Sequence, residues 1–222
     1  MEGYFYSMPL IIKKEIASGT QLGIWKIEED AGWFRSQLIL DQKENQLIDS
    51  IKNPQRKLHW LSSRVLLRTL MNTEDFIHLE SDANGKPVIH NFNVQLSLSH
   101  SADLSALLLS NKFQVGIDIE KMEYKILRLQ QKFLREDELA FVTDHERVEK
   151  LYAMWCAKEA MYKFYGKKQL DFRQHLFIKP FEYHASGELS GMIRKGDYSC
   201  ELKVQYEKLG IYMMAYVIGA IR

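Results

Sequence analysis

FNVQLSLSHSADLSALLLSNKFQVGIDIEK, Phe92 to Lys121, is the stretch on which the fold turns. Phe92, Val94, Leu96, Leu98 and His100 alternate with Asn93, Gln95, Ser97 and Ser99, the two-residue period of a strand. Leu104 to Leu109 supplies a partner strand after a short turn. A third strand follows Ser110-Asn111, with Phe113, Val115, Ile117 and Ile119 on one face. Asp118 and Glu120 then project from its other face, expected to be the polar side of a half-buried strand.

Working outward, DANGKP (82–87) is a turn: Asn84-Gly85 permits positive φ, and Pro87 restricts Lys86. From Gly32 to about Leu70 the pattern is helical, interrupted by Asn53-Pro54. Leu58, Leu61, Val65 and Leu66 share one face of the second helix, with Arg64 and Arg68 one turn apart. Tyr4 to Ile27 and Ile211 to Ile221 read as strands, rich in β-branched and aromatic residues. Helices fill 126–165, and Gly166 suits a C-cap. This order predicts an α+β fold. LGIWKIE aligns with VGIDIEK, placing Gly23 over Gly116. KLHWLSSRVLL aligns with LYAMWCAKEAM, placing Arg64 over Lys158. The two offsets, 93 and 94, agree within one residue and predict two similar α+β halves, 1–110 and 111–222, about a pseudo-twofold axis. The seam between them is a natural place for a ligand.

The chain has 222 residues, 46% hydrophobic and 27% charged, ordinary for a globular protein with a real core. A net charge of +1 argues against a general nucleic-acid-binding surface. No apolar run approaches the ~18 residues of a membrane span. In MEGYFYSMPLIIKKE the basic residues follow the apolar stretch, opposite to a secretory signal, and two cysteines make no disulfide framework. A soluble, cytoplasmic protein is expected. No nucleophile elbow, Walker loop, dinucleotide-binding glycine turn or His-Glu-x-x-His pair appears.

Four constellations remain. Asp118 and Glu120, two apart on a strand, can share one hard cation, or merely pair with lysines on a solvated face. In WCAKEAMYKFYG (155–166), Glu159 and Lys163 share a helix face while Lys158 lies about 100° round from Glu159. An ordinary Glu–Lys pair explains that as well. In LSLSHSADLS, Ser99, His100 and Ser101 can surround a phosphate, although a structural histidine closing a strand is the commoner outcome. Arg56, Lys57, Arg64 and Arg68 suit phosphate by charge and fork geometry, as they suit a solvated helix face.

In this order, GKP, SHS, GIDIE and WxxKEAxxK, the groups resemble the 4′-phosphopantetheinyl transferases, in particular the longer pseudodimeric type that activates synthetase carrier domains. The resemblance runs from about Arg56 to Gly166, with 39 residues between Glu120 and Glu159. It implies transfer of the phosphopantetheine arm of coenzyme A to a carrier-protein serine, releasing adenosine 3′,5′-bisphosphate, in a cleft between the halves. Carried over by position, Asp118, Glu120 and Glu159 match magnesium-binding acids (manganese being the alternative ion), and Lys158 and Lys163 match phosphate-side lysines. His100 matches a histidine contacting coenzyme A phosphate beside Ser99; Gly85, Lys86 and Pro87 match a turn at the adenine. Arg64, with Arg56 as a less settled choice, faces the 3′-phosphate. Further N-terminal lysines of the family have no assignable counterpart, and Lys43 is left unassigned.

Under this resemblance the first half holds the adenine and 3′-phosphate side of the cleft, and the second half holds the metal site and catalytic helix. Glu159 is the expected base for the carrier serine, with Lys163 and Asp118 beside it. Lys121, Met122, Tyr124, Lys125, Leu127 and Arg128 mix basic with apolar residues and are expected to contact the carrier. The internal duplication suggests a monomer. Two other readings stand beside this one: a metal-dependent nuclease, disfavoured by the near-zero net charge, and a protein that binds coenzyme A or a carrier without turnover.

Overall fold

The computed structural model describes residues 9–143 and 145–221, so the part of the expected opening strands before Pro9 lies outside it. The chain is α+β. β1 (Leu10–Ala17) and β2 (Thr20–Lys26) lead into α1 (Ala31–Ser36), α2 (Gln42–Ser50) and α3 (Pro54–Met71). The short β3 (Leu79–Ser81) and β4 (Pro87–Ile89) precede β5 (Gln95–Ser101), β6 (Leu104–Ser110) and β7 (Gln114–Lys121). Next come α4 (Ile126–Phe133), α5 (Glu136–Leu139) and α6 (Arg147–Tyr165), then β8 (Leu176–Ile178), β9 (Ser186–Lys195), β10 (Tyr198–Leu209) and β11 (Tyr212–Gly219).

Local chemistry sets the boundaries. The Asn53 side chain accepts from the Arg56 amide and Pro54 begins α3, so the predicted interruption is a helix start. Gly166 closes α6 at φ 69°, the left-handed C-cap. In the 82–87 turn, Asp82 Oδ1 accepts from the Asn84 and Lys86 amides at 2.8 and 2.9 Å.

Hydrogen-bonded strand order is β1-β2-β6-β5 in one sheet and β7-β11-β10-β9-β8 in the other. Leu22, Ile24, Leu104, Ala106 and Leu108 of the first pack on Val115, Ile117, Ile119, Tyr212 and Met214 of the second. On its far side the first sheet is covered by α3 through Leu61, Leu66 and Leu70. The second sheet is covered likewise by α6 through Ala157, Ala160 and Phe164. β7 is therefore enclosed on both faces. The expected polar side of a half-buried strand is instead an interior face under α6, and Asp118 is only 4% exposed.

The run β2-β6-β5 repeats as β7-β11-β10, every neighbouring pair antiparallel. Gly23 faces Leu66 and Leu70 of α3, and Gly116 faces Ala160 and Phe164 of α6, each helix partner displaced by the same 94 residues. Among the described residues no helix is long and apolar enough to cross a membrane.

The two glycines differ in what crowds them. A Cβ at Gly116 would sit 2.1 Å from the Ala160 carbonyl oxygen and 2.7 Å from the Phe164 nitrogen, both backbone. At Gly23 the nearest atoms are methyl ends of Leu66 and Leu70, at 2.9 Å. Gly116→Ala is expected to cost at least about 3 kcal/mol in urea unfolding and Gly23→Ala clearly less, because leucine rotamers give where helix backbone does not.

Candidate active site

β5 and β7 belong to different sheets yet meet edge to edge through serine hydroxyls. Ser97, Ser99 and Ser101 Oγ accept from the amides of Ile117, Ile119 and Lys121 at 3.0, 3.2 and 3.0 Å. The shared two-residue period of both strands makes the contact recur. Two of the hydroxyls also donate: Ser99 to Asp118 Oδ1 and Ser101 to Glu120 Oε2, both at 2.8 Å.

α6 crosses above. Lys163, one turn after Glu159, donates to Asp118 Oδ1 at 2.8 Å. Asp118 Oδ2 is buried without a hydrogen-bond partner. Burial pushes the Glu159 carboxyl up to about 7, helped by Asp118 and Glu120 and opposed by Lys163. Glu120 is raised too, by burial and then by Asp118, against its bond from Ser101.

Lys163 is also part of the wall of a cavity of about 720 Å³ lined from two stretches of chain, 41–98 and 162–168. Six cations line it, Lys43, Arg64, Lys86, Lys163, Lys167 and Lys168, against three acids, Asp41, Glu44 and Glu80. Gly85 and Pro87 lie on the same wall as Lys86. Arg64 lies flat on Trp60, its Cζ 3.3 Å from the ring centroid, with Nε 3.7 Å from Glu44 Oε1. Burial draws its pKa down to about 10, which leaves it a cation at neutral pH. Lys168 Nζ reaches the Ala83 carbonyl at 3.4 Å, linking the β3–β4 turn to the end of α6.

Other expected site residues stand elsewhere. Lys158 is corrected. It is wholly buried, and its ammonium spends three donors on Phe133 O, Glu138 Oε2 and Phe172 O at 2.8, 2.7 and 2.9 Å. Glu138 is completed by the amides of Arg135 and Ile178. One helix step from Glu159 turns Lys158 away from the cavity into the second half's core. Arg56 is exposed in the first turn of α3 and does not line the cavity. Ser99 is 7% exposed, and both its donor and its acceptor capacity are committed inside the protein.

His100 stands off the cavity wall, its ring stacked on His59 at 4.1 Å and 21°. The ring stays partly open to solvent, yet surrounding protein, then His59 and Lys163, hold its pKa down to about 4. The sequence reading missed Lys167 and Lys168 and left Lys43 unassigned. A lysine pair directly after the Gly166 cap was the available signal, because chain leaving a helix over a cleft lines that cleft.

Among the described residues no set of three or more His, Cys, Asp or Glu side chains is gathered to hold a metal ion. The donor chemistry of the acids nonetheless fits a hard divalent cation. It is all oxygen, it includes Asp118 Oδ2, which has no partner among the described residues, and burial followed by the charge of Asp118 raises the proton affinity of Glu120 and Glu159, a cost that a cation would offset.

Residues 114–221 match the family model of the 4′-phosphopantetheinyl transferase superfamily. The 4′-phosphopantetheinyl transferase gsp of Aneurinibacillus migulanus is 25% identical over 141 residues, 60% of this chain and 59% of that protein. A Synechocystis sp. protein, named only provisionally as a 4′-phosphopantetheinyl transferase, is 26% identical over 144 residues, 59% of this chain and 58% of its own. The chain thus spans about three fifths of the length of the curated relatives it matches.

Two outcomes are expected. Lys158→Met should lose about 3–5 kcal/mol of unfolding free energy by stranding the Glu138 carboxylate, with ligand affinity of the folded fraction unchanged. Glu159 keeps its proton to about pH 7 when folded but ionises near 4.5 when unfolded, so its contribution to stability is lost as pH rises between those values. With chelator present, Glu159→Gln should match wild type in melting near pH 4 and exceed it by roughly 2–3 kcal/mol above pH 7.

Proposed function

We propose that this chain, whose residues 114–221 match the family model of the 4′-phosphopantetheinyl transferase superfamily, is a member of that family and moves the 4′-phosphopantetheine arm of coenzyme A onto a serine of an acyl, peptidyl or aryl carrier protein. The products are holo-carrier and adenosine 3′,5′-bisphosphate. One observation carries the reading: Lys163 is at once part of the wall of a cation-rich cavity and the partner of the most buried strand acid, Asp118. A diphosphate in that cavity is thereby brought up to a cluster of carboxylates.

In this reading residues 1–110 and 111–222 form the two walls, related by a pseudo-twofold axis, and the second half takes the place of a partner subunit in a cytoplasmic monomer. Lys43, Arg64, Lys86, Lys167 and Lys168 neutralise the nucleotide's phosphates, with Gly85-Lys86-Pro87 at the adenine. His100, neutral near pH 7, meets a phosphate oxygen as a hydrogen-bond donor. Asp118, Glu120 and Glu159 would hold magnesium, or manganese in its place, which would neutralise charge on the diphosphate. The carrier serine Oγ forms a bond to the β-phosphorus as the bridging P–O bond to the nucleotide breaks. Lys163 lies where it can hold the charge left on the departing phosphate. Glu159 takes the serine proton: its carboxyl carries no hydrogen bond among the described residues, and burial raises its proton affinity.

The carrier docks beside the acids on the chain just after β7. Lys121, Lys125 and Arg128 are exposed there, and Tyr124 is 81% exposed. This mix suits an acidic helix with an apolar stripe.

Mass spectrometry of an apo-carrier incubated with coenzyme A and magnesium tests the reading. One phosphopantetheine should be added, and Glu159→Gln should slow the addition about 10²- to 10⁴-fold. Folded wild-type protein that binds coenzyme A yet modifies no acyl, peptidyl or aryl carrier would refute it. Changing Lys121, Lys125 and Arg128 together to Glu should raise the carrier KM at least about tenfold and leave coenzyme A binding alone.

A further inference from the structure

The acids of β7 do not hold themselves in place. Each β5 serine accepts from the amide twenty positions on, and Ser99 and Ser101 also donate to the residue nineteen positions on. For Ser99 that residue is Asp118, and for Ser101 it is Glu120. For Ser97 it is Gly116, which has no side chain to receive a bond. Accepting from a fixed amide and donating to a carboxylate leaves the hydroxyl no free rotor, so the bond fixes the acid's orientation. Each serine engages one oxygen of its acid. Asp118 Oδ2 stays unpartnered, and Ser101 engages Glu120 through Oε2 alone.

We propose that Ser99 and Ser101, contributed by the first half, are positioning residues for the strand acids of the second half. They turn one free oxygen of each carboxylate toward a divalent cation, so that cation affinity is set across the seam between the halves. This rests on the magnesium reading above. Groups holding a metal's ligands typically matter 10- to 100-fold in affinity.

The test measures Mn²⁺ binding by electron paramagnetic resonance on the full chain with coenzyme A present and no carrier, so nothing turns over. Ser101→Ala removes a half-buried hydroxyl at the strand end and should fold. It should bind Mn²⁺ about tenfold more weakly while binding coenzyme A normally in chelator, and Ser101→Thr should restore the ion. Ser97→Ala removes an amide partner but no carboxylate bond, so it should lower the melting temperature without changing Mn²⁺ affinity. Wild-type Mn²⁺ affinity in Ser101→Ala, or an equal loss in Ser97→Ala, would overturn the proposal. Wild-type protein that binds coenzyme A but no Mn²⁺ would remove the metal reading and this proposal with it.

Discussion

Three hydroxyl-to-amide bonds along the β5–β7 edge are the constraint on which the rest of the structure depends. β7 pairs with β11 on one side only, so the amides on its other edge need partners inside the protein. Carbonyls of a neighbouring strand would have merged the two sheets into one. Serines let the sheets stay separate and pack face to face while leaving no orphan donor, each of which would cost about 1–3 kcal/mol. A slip of one residue would bring Leu96, Leu98 and His100 to the seam and break every bond together. The register that stitches the two sheets is thus the register that places Asp118 and Glu120.

The electrostatics follow from that placement. A net charge of +1 over the chain conceals a local excess of cations in the cavity, six against three acids. Lys163 lines that cavity and also pairs with Asp118. Burial, and then the charge of Asp118, pushes Glu159 up to about 7, an arrangement that does nothing for the fold alone. A phosphate-rich ligand on one side and a divalent cation on the other are the charges that would relieve it.

Much of this was legible in the sequence. The alternation from Phe92 to Ile119 marked three strands, Asn53-Pro54 and Gly166 marked helix ends, and the aligned Gly23 and Gly116 each face a helix. What failed had physical reasons. An alternating strand looks half-solvated whether its polar face meets water or a polar interior, so the burial of Asp118 was invisible. Lys158 sits beside Glu159 in a motif, but a 100° helix step and a carboxylate twenty residues upstream decide its role. Arg56 and Arg64 lie two turns apart on α3, yet only Arg64 is drawn over Trp60 into the cavity. Lys43, Lys167 and Lys168 reach the same cavity from distant segments, a convergence that no local pattern encodes.

The most direct measurement is an anomalous-scattering map from crystals grown with Mn²⁺ and coenzyme A. The account expects one ion about 2.1 Å from oxygens of Asp118, Glu120 and Glu159, with the diphosphate reaching it past Lys163 and the nucleotide in the cavity lined by Arg64 and Lys86. An ion bound away from these acids, or coenzyme A seated outside that cavity, would contradict it.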